Sequence, residues 1–254
     1  MSVVVIGDRA VGKTHMALAL AELPSGSKVR IIEPSVDILR EEFRNRDTGA
    51  MVPTTEIKER PIKLEVLLNK REIIDSVWID TPGEIWDADW PKEHPSAWNE
   101  FKQNIGKNLA IILLLPPYQS MVSQELINRA SSDMTLNRDK LMDTERWCRN
   151  LEDWLKFLNQ HCPKVHHLAI CLHKADLFCE NLDAKAGEMN GHSVDRQSKA
   201  MQSFFAVAKA KEVINRHNRE PIPFQFFITS VSNSDLLTAP WHYLSSYILY
   251  GKKS

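Results

Sequence analysis

The sequence predicts an α/β fold: a mostly parallel central sheet with one antiparallel hairpin at its edge and helices on both faces. Three observations carry this. Residues 3–6, 109–115 and 168–172 are continuous apolar runs and 224–228 is one broken only by Gln225, the pattern of strands buried on both faces. Helical stretches separate them, which implies parallel crossovers. Residues 62–68 and 73–79 alternate apolar and polar across the turn Asn69-Lys70-Arg71, the pattern of a hairpin.

Taken in order, Val3-Val4-Val5-Ile6 is the first strand, and the Ala- and Leu-rich stretch after it, to Leu23, has strong helix propensity. Residues 28–33 form a short strand and 36–44 a short helix; 45–56 are polar and loop-like. The hairpin follows, then the strand 109–115. Trp147, Leu151, Trp154, Leu155 and Leu158 recur on one face of a helix over 139–161. A strand at 168–172, a helix over 193–217 with Met201, Phe204, Phe205 and Ala208 on one face, a strand at 224–228 and a helix at 240–250 complete the chain. The expected organisation is a single domain, 1–254, with helical insertions at about 116–165 and 177–223.

Of the 254 residues 43% are hydrophobic, enough for a sizeable core, and the net charge is -1, which gives no global pull toward nucleic acid or an anionic membrane. Cys148, Cys162, Cys171 and Cys179 form no C-x-x-C pair and read as reduced thiols of a cytoplasmic protein. No apolar run approaches a membrane span. No signal peptide, myristoylation site or prenylation box is expected, so no intrinsic membrane anchor is expected either.

The chemistry-bearing motif is Gly7-Asp8-Arg9-Ala10-Val11-Gly12-Lys13-Thr14, which fits G-x-x-x-x-G-K-[ST] between a strand and a helix. Glycines let backbone N–H groups close around phosphate oxygens, and the helix N-terminus adds partial positive charge. Lys13 is expected to reach the outer phosphates and Thr14 to ligate Mg²⁺. Asp80-Thr81-Pro82-Gly83 follows a strand end, where an Asp can hold Mg²⁺ through water and Gly83 can offer its N–H to a terminal phosphate. His173-Lys174-Ala175-Asp176 and Thr229-Ser230-Val231 follow two further strands.

In this set and order the chain resembles the Ras-like small GTPases of the P-loop NTPase class, from Gly7 to Val231. The resemblance implies the three-layer P-loop fold, GTP/GDP and Mg²⁺ as ligands, and slow GTP hydrolysis by a molecular switch. It implies Gly7, Arg9, Val11, Gly12, Lys13 and Thr14 around the phosphates. Thr54 in Pro53-Thr54-Thr55 looks like the first switch threonine, which binds Mg²⁺ and the γ-phosphate, with Thr55 as second choice. Asp80 and Gly83 look like the second switch. Asp176 looks like the carboxylate that reads guanine, Lys174 like the stem along the base, and Ser230 and Val231 like the loop at the guanine carbonyl.

Three residues depart from the family pattern. His173 stands where N-K-x-D has Asn; an imidazole can donate to the purine N7, tie its loop to the phosphate loop, or bond only to backbone. Glu84 replaces the water-positioning Gln; a carboxylate can orient water but adds charge near the γ-phosphate, and it can equally be solvated. Arg9 replaces a small residue and points either to the phosphates, into the space of a partner's arginine finger, or into solvent. The aromatic, acidic stretch from Glu84 to Pro91, with Trp86 and Trp90 and with Trp98 nearby, is either a surface for an effector or regulator or local packing. A nucleotide-binding module with little or no hydrolysis and a P-loop ATPase or kinase are the competing readings.

Overall fold

In a computed structural model the chain runs β1 (Ser2–Gly7), α1 (Lys13–Glu22), β2 (Val29–Glu33), α2 (Val36–Phe43), β3 (Lys58–Leu67), β4 (Arg71–Asp80), α3 (Trp90–Glu93), α4 (Pro95–Gly106), β5 (Ala110–Leu115), α5 (Gln124–Ala130), α6 (Thr144–His161), β6 (His167–His173), α7 (Leu182–Met189), α8 (Ala208–His217), β7 (Phe224–Thr229) and α9 (Ser234–Tyr250). The structure describes residues 2–8, 11–43, 57–81, 85, 89–130, 141–189, 199–200, 202–203, 205, 207–217 and 224–250.

Hydrogen bonding orders the strands β2-β3-β4-β1-β5-β6-β7 in one seven-stranded sheet. The β4-β1, β1-β5, β5-β6 and β6-β7 pairs are parallel. β2-β3 and β3-β4 are antiparallel. The antiparallel edge therefore holds a third strand, β2, outside the expected hairpin. The hairpin itself is longer than its alternation suggests. Its ladder runs from Leu67 opposite Arg71 to Lys58 opposite Asp80, through the polar stretch Lys58-Glu59-Arg60-Pro61.

Alternating side chains feed two cores, one on each face. Val4, Ile6, Ile111 and Leu113 face Phe101, Trp147, Leu151 and Trp154. Val3, Val5, Ile112 and Leu114 face Met16, Leu20, Leu39 and Trp241. Every residue of β5 is buried, as its unbroken apolar run requires. All four cysteines are buried and unpaired. Among the described residues no helix is long and apolar enough to cross a membrane.

Helix boundaries follow local capping. α6 starts at Thr144, because the Asp143 side chain accepts from the Arg146 amide at 2.8 Å. α9 starts six residues before its expected first residue; the Asn233 side chain caps Leu236 N at 2.9 Å, and Pro240 lies inside the helix. α4 was not expected; it buries only Phe101 and Ile105 on an otherwise polar surface. In the 193–217 stretch the continuous described helix is Ala208–His217.

Candidate functional site

β1, β4, β5, β6 and β7 are mutually parallel, so their C-terminal ends share one edge of the sheet. In open α/β sheets ligands bind in the crevice outside such strand ends. β1 ends at Gly7, packed so closely on β5 that a Cβ there would lie 2.3 Å from the Leu114 carbonyl oxygen. The chain turns through buried Val11 to Gly12, whose φ of 109° is one that side chains oppose. α1 then starts at Lys13. The first-turn amides of a helix have no intrahelical acceptor and point at whatever sits beyond the N-terminus.

Lys13 is 6% exposed. Its Nζ donates to the carbonyl oxygens of Gly7 at 2.8 Å and Asp8 at 3.0 Å and lies 3.6 Å from Asp80 Oδ1. Burial pulls its pKa below the ordinary lysine value, against the carboxylates of Asp80 and Asp8, which raise it. Thr14, half-buried, is the next residue of the turn.

The Asp8 carboxylate does not face Lys13's neighbours alone. Trp154 Nε1 donates to its Oδ1 at 2.9 Å, and Asn150 Nδ2 donates to its Oδ2. Both come from α6, one turn apart, so the loop is fastened to a helix almost 150 residues later in the chain. A buried indole N–H needs an acceptor, and Asp8 supplies it.

Asp80 ends β4 with a side chain only 10% exposed, between two cations: Lys13 at Oδ1, and Arg60 Nη1 hydrogen-bonded to Oδ2. Arg60 stands opposite Trp78 on β3 and reaches diagonally along β4. Its guanidinium lies 4.5 Å from the centre of the Phe43 ring, and its Nε is 3.4 Å from Glu42 Oε2. Thr81 Oγ1 donates to the Gly7 carbonyl at 3.4 Å and joins the end of β4 to the loop.

His173 ends β6 at 1% exposure. Its Nδ1 lies 2.9 Å from Thr229 Oγ1 at the end of β7. Its other edge is against Gly12, where a Cβ would meet Cδ2 at 2.8 Å and Nε2 at 2.9 Å. Of the roles open to this imidazole, the geometry gives it the tie between two strand ends and the glycine loop. Desolvation, then the neighbouring Lys174 and His15, push its pKa down to about 3, so it is neutral at ordinary pH.

Lys174 follows with φ 63° in the left-handed region. Its Cε would lie 3.6 Å from a Cβ on Gly12, so its stem runs beside the loop. Burial lowers its pKa, opposed by Asp176. Ser230 Oγ donates to Asp176 Oδ1 and accepts from Ser232 N at 3.1 Å. Ser230 is buried and Val231 exposed beside it.

The structure thus brings together Gly7, Val11, Gly12, Lys13, Thr14, Asp80, His173, Lys174, Asp176, Ser230 and Val231. Arg9, Thr54, Thr55, Gly83, Glu84 and Trp86 lie outside the described residues. Trp90 and Trp98 are half-buried; their rings meet edge-on at 6.2 Å, and Trp98 lies 5.3 Å from Phe157. Both pack on the core and keep part of their surface exposed. Sequence reasoning held Asp8 and Thr229 inside its motifs without giving them a role of their own, and missed Arg60, Asn150 and Trp154 as site residues. Trp154 had a signal: a Trp on an apolar helix face must place its N–H, and Asn150 lies one turn before it. Arg60 had none, since its partner depends on strand register.

Among the described residues no group of three or more His, Cys, Asp or Glu side chains is gathered as a metal centre. A cation here would be held by Asp80, a Thr14 hydroxyl and oxygens of the ligand itself, a hard-oxygen set suited to Mg²⁺. A glycine cradle without room for a Cβ at Gly12, a buried lysine and a helix N-terminus suit a polyphosphate. A carboxylate oriented by a serine on the next loop suits a base with paired N–H donors. Comparison with protein-family models and with curated proteins finds no match to this chain.

Proposed function

We propose that this chain is a guanine-nucleotide switch of the P-loop class. It binds GTP and GDP with Mg²⁺, hydrolyses GTP slowly, and signals to a protein effector or regulator in the cytoplasm. One observation carries the reading. Gly7-Asp8, Val11–Thr14, Asp80-Thr81, His173–Asp176 and Ser230-Val231 lie at the C-terminal ends of the parallel strands, with His173 and Lys174 lining the space that a Cβ on Gly12 would fill.

In this reading Lys13 leaves the Gly7 and Asp8 carbonyls for the β- and γ-phosphates. Thr14 and Asp80 would hold Mg²⁺, with Thr54 as a further hydroxyl; when bound, the ion would supply charge stabilisation at the phosphate oxygens. Asp176 accepts from the guanine N1–H and amine, the Lys174 stem lies on the base, and Ser230-Val231 meets the carbonyl. His173 takes no part in reading the base and holds the loops in register. Gly83 meets the γ-phosphate and Glu84 orients water. The compartment rests on four buried, unpaired cysteines.

Mass analysis of the nucleotide that co-purifies with the native protein tests base and phosphate state together. GDP or GTP is the expected result; an adenine nucleotide, or none retained by the protein after loading, refutes it. In competition titrations Asp176→Asn shifts preference from guanine to xanthine nucleotides by at least about tenfold, because one of two buried hydrogen bonds is mispaired. An unchanged ratio removes Asp176 from base recognition. A second reading, a nucleotide-binding module with little hydrolysis, is favoured by the two cations already on Asp80. Multiple-turnover phosphate release separates the two.

A further inference from the structure

Both carboxylate oxygens of Asp80 face a positive charge inside the protein. Lys13 at Oδ1 has a role in the reading above, which moves it to phosphate. Arg60 at Oδ2 has none, and it occupies the carboxylate that a divalent cation would need. A cation held through Asp80 would stand within a few ångströms of the guanidinium, where like charges in a poorly solvated cleft repel strongly. Arg60 is 12% and Asp80 10% exposed in their side chains, so water screens the pair little.

Arg60 also has a second resting place. Its Nε is buried and, among the described residues, makes no hydrogen bond, although Glu42 Oε2 stands 3.4 Å away. The Phe43 ring lies beneath the guanidinium at 4.5 Å, a surface on which an Arg can turn while keeping cation–π contact. A purely structural pair would be expected to saturate its donors. Here one donor is held in reserve next to an acceptor on α2.

We propose that Arg60 is an internal counter-cation that occupies Asp80 when no metal is bound, competes with Mg²⁺ for that carboxylate, and passes to Glu42 when Mg²⁺ enters with nucleotide. Arg60 is therefore a positioning residue that sets how much Mg²⁺ the site requires. The inference rests on the reading of the 7–14 loop and Asp80 as a nucleotide–Mg²⁺ site. Its sign is unusual: loss of a nearly buried ion-pair partner improves metal binding, whereas damage to the fold would weaken it.

The test uses the full chain with fluorescently labelled GDP, titrated at fixed nucleotide with Mg²⁺ from micromolar to millimolar. Arg60→Gln should lower the Mg²⁺ concentration at half-binding by about tenfold or more. Arg60→Lys, which keeps the charge, should stay within about threefold of the wild type. Glu42→Gln, at a position 42% exposed, should raise the Mg²⁺ requirement, because the displaced guanidinium loses its acceptor. If Arg60→Gln does not fold, the Glu42→Gln shift decides alone. Nucleotide binding with an unchanged or higher Mg²⁺ half-point in Arg60→Gln, or an unmoved one in Glu42→Gln, overturns this inference and leaves the proposed function standing. Failure of the wild type to bind GDP at any Mg²⁺ concentration overturns both.

Discussion

Replacing His173 by Asn should remove a large part of the protein's sensitivity to mild acid. The folded protein keeps this imidazole neutral, because it is buried between Gly12 and Thr229 and its pKa is pushed down to about 3. In the unfolded chain it titrates near 6.5. Between those values the unfolded state takes up a proton that the native state refuses, so stability falls as pH falls below about 6.5. At about pH 7.5 the cost is negligible; at about pH 5 it is RT ln(1 + 10^1.5), about 2 kcal/mol. This holds whether the native value is 3 or a unit higher. Urea unfolding of wild type and His173→Asn at the two pH values measures it. The wild type should lose about 2 kcal/mol more than the variant over the interval. His161, His167 and His242 are also lowered by burial, but both proteins carry them and their effect cancels in the difference. Equal pH dependence, within about 0.5 kcal/mol, would mean that His173 accepts a proton inside the fold. The dry contact with Gly12 would then be wrong.

Two further outcomes are expected. Lys13→Ala should weaken labelled GTP binding at least about a hundredfold with an unchanged circular dichroism spectrum, since it deletes the charge-assisted bonds to phosphate; retained affinity would remove the 7–14 loop from nucleotide binding. Trp154→Phe should cost about 1–3 kcal/mol in urea unfolding by taking one donor from the Asp8 carboxylate, and it should couple to Asp8→Asn in a double-mutant cycle by more than about 0.5 kcal/mol; additivity would show that the indole and the loop are independent.

The strands were legible where both faces are buried. Residues 109–115, 168–172 and 224–228 each coincide with a strand to within a residue or two, because a short, nearly continuous apolar run suits a strand covered on both faces. The start of β3 was hidden. Lys58-Glu59-Arg60-Pro61 reads as loop, and only its ladder to β4 makes it strand. α4 was hidden for a related reason: Trp98, Phe101 and Ile105 are a thin stripe on a polar stretch. At the site, residues that belong to a recognisable motif were found, even where they meet across the fold, as Lys13 meets Asp80 and Ser230 meets Asp176; partners outside any motif were not. Lys13 and Gly12 declare themselves by spacing; Asp8 with Trp154, and Arg60 with Asp80, are joined by register and helix placement, which a single sequence does not encode in any short pattern.

The four cysteines have a practical consequence. Burial raises the thiol pKa of each, to about 12 for Cys162 and Cys179, with Cys148 and Cys171 also shifted upward. Almost no thiolate is therefore presented at neutral pH, and thiolate is the species that reacts. An added surface cysteine, for example in place of exposed Ser232, would be the one fast-reacting sulfur in the native protein. A dye or spin label attached there would sit two residues from Ser230, without any need to strip the native sulfurs from the chain.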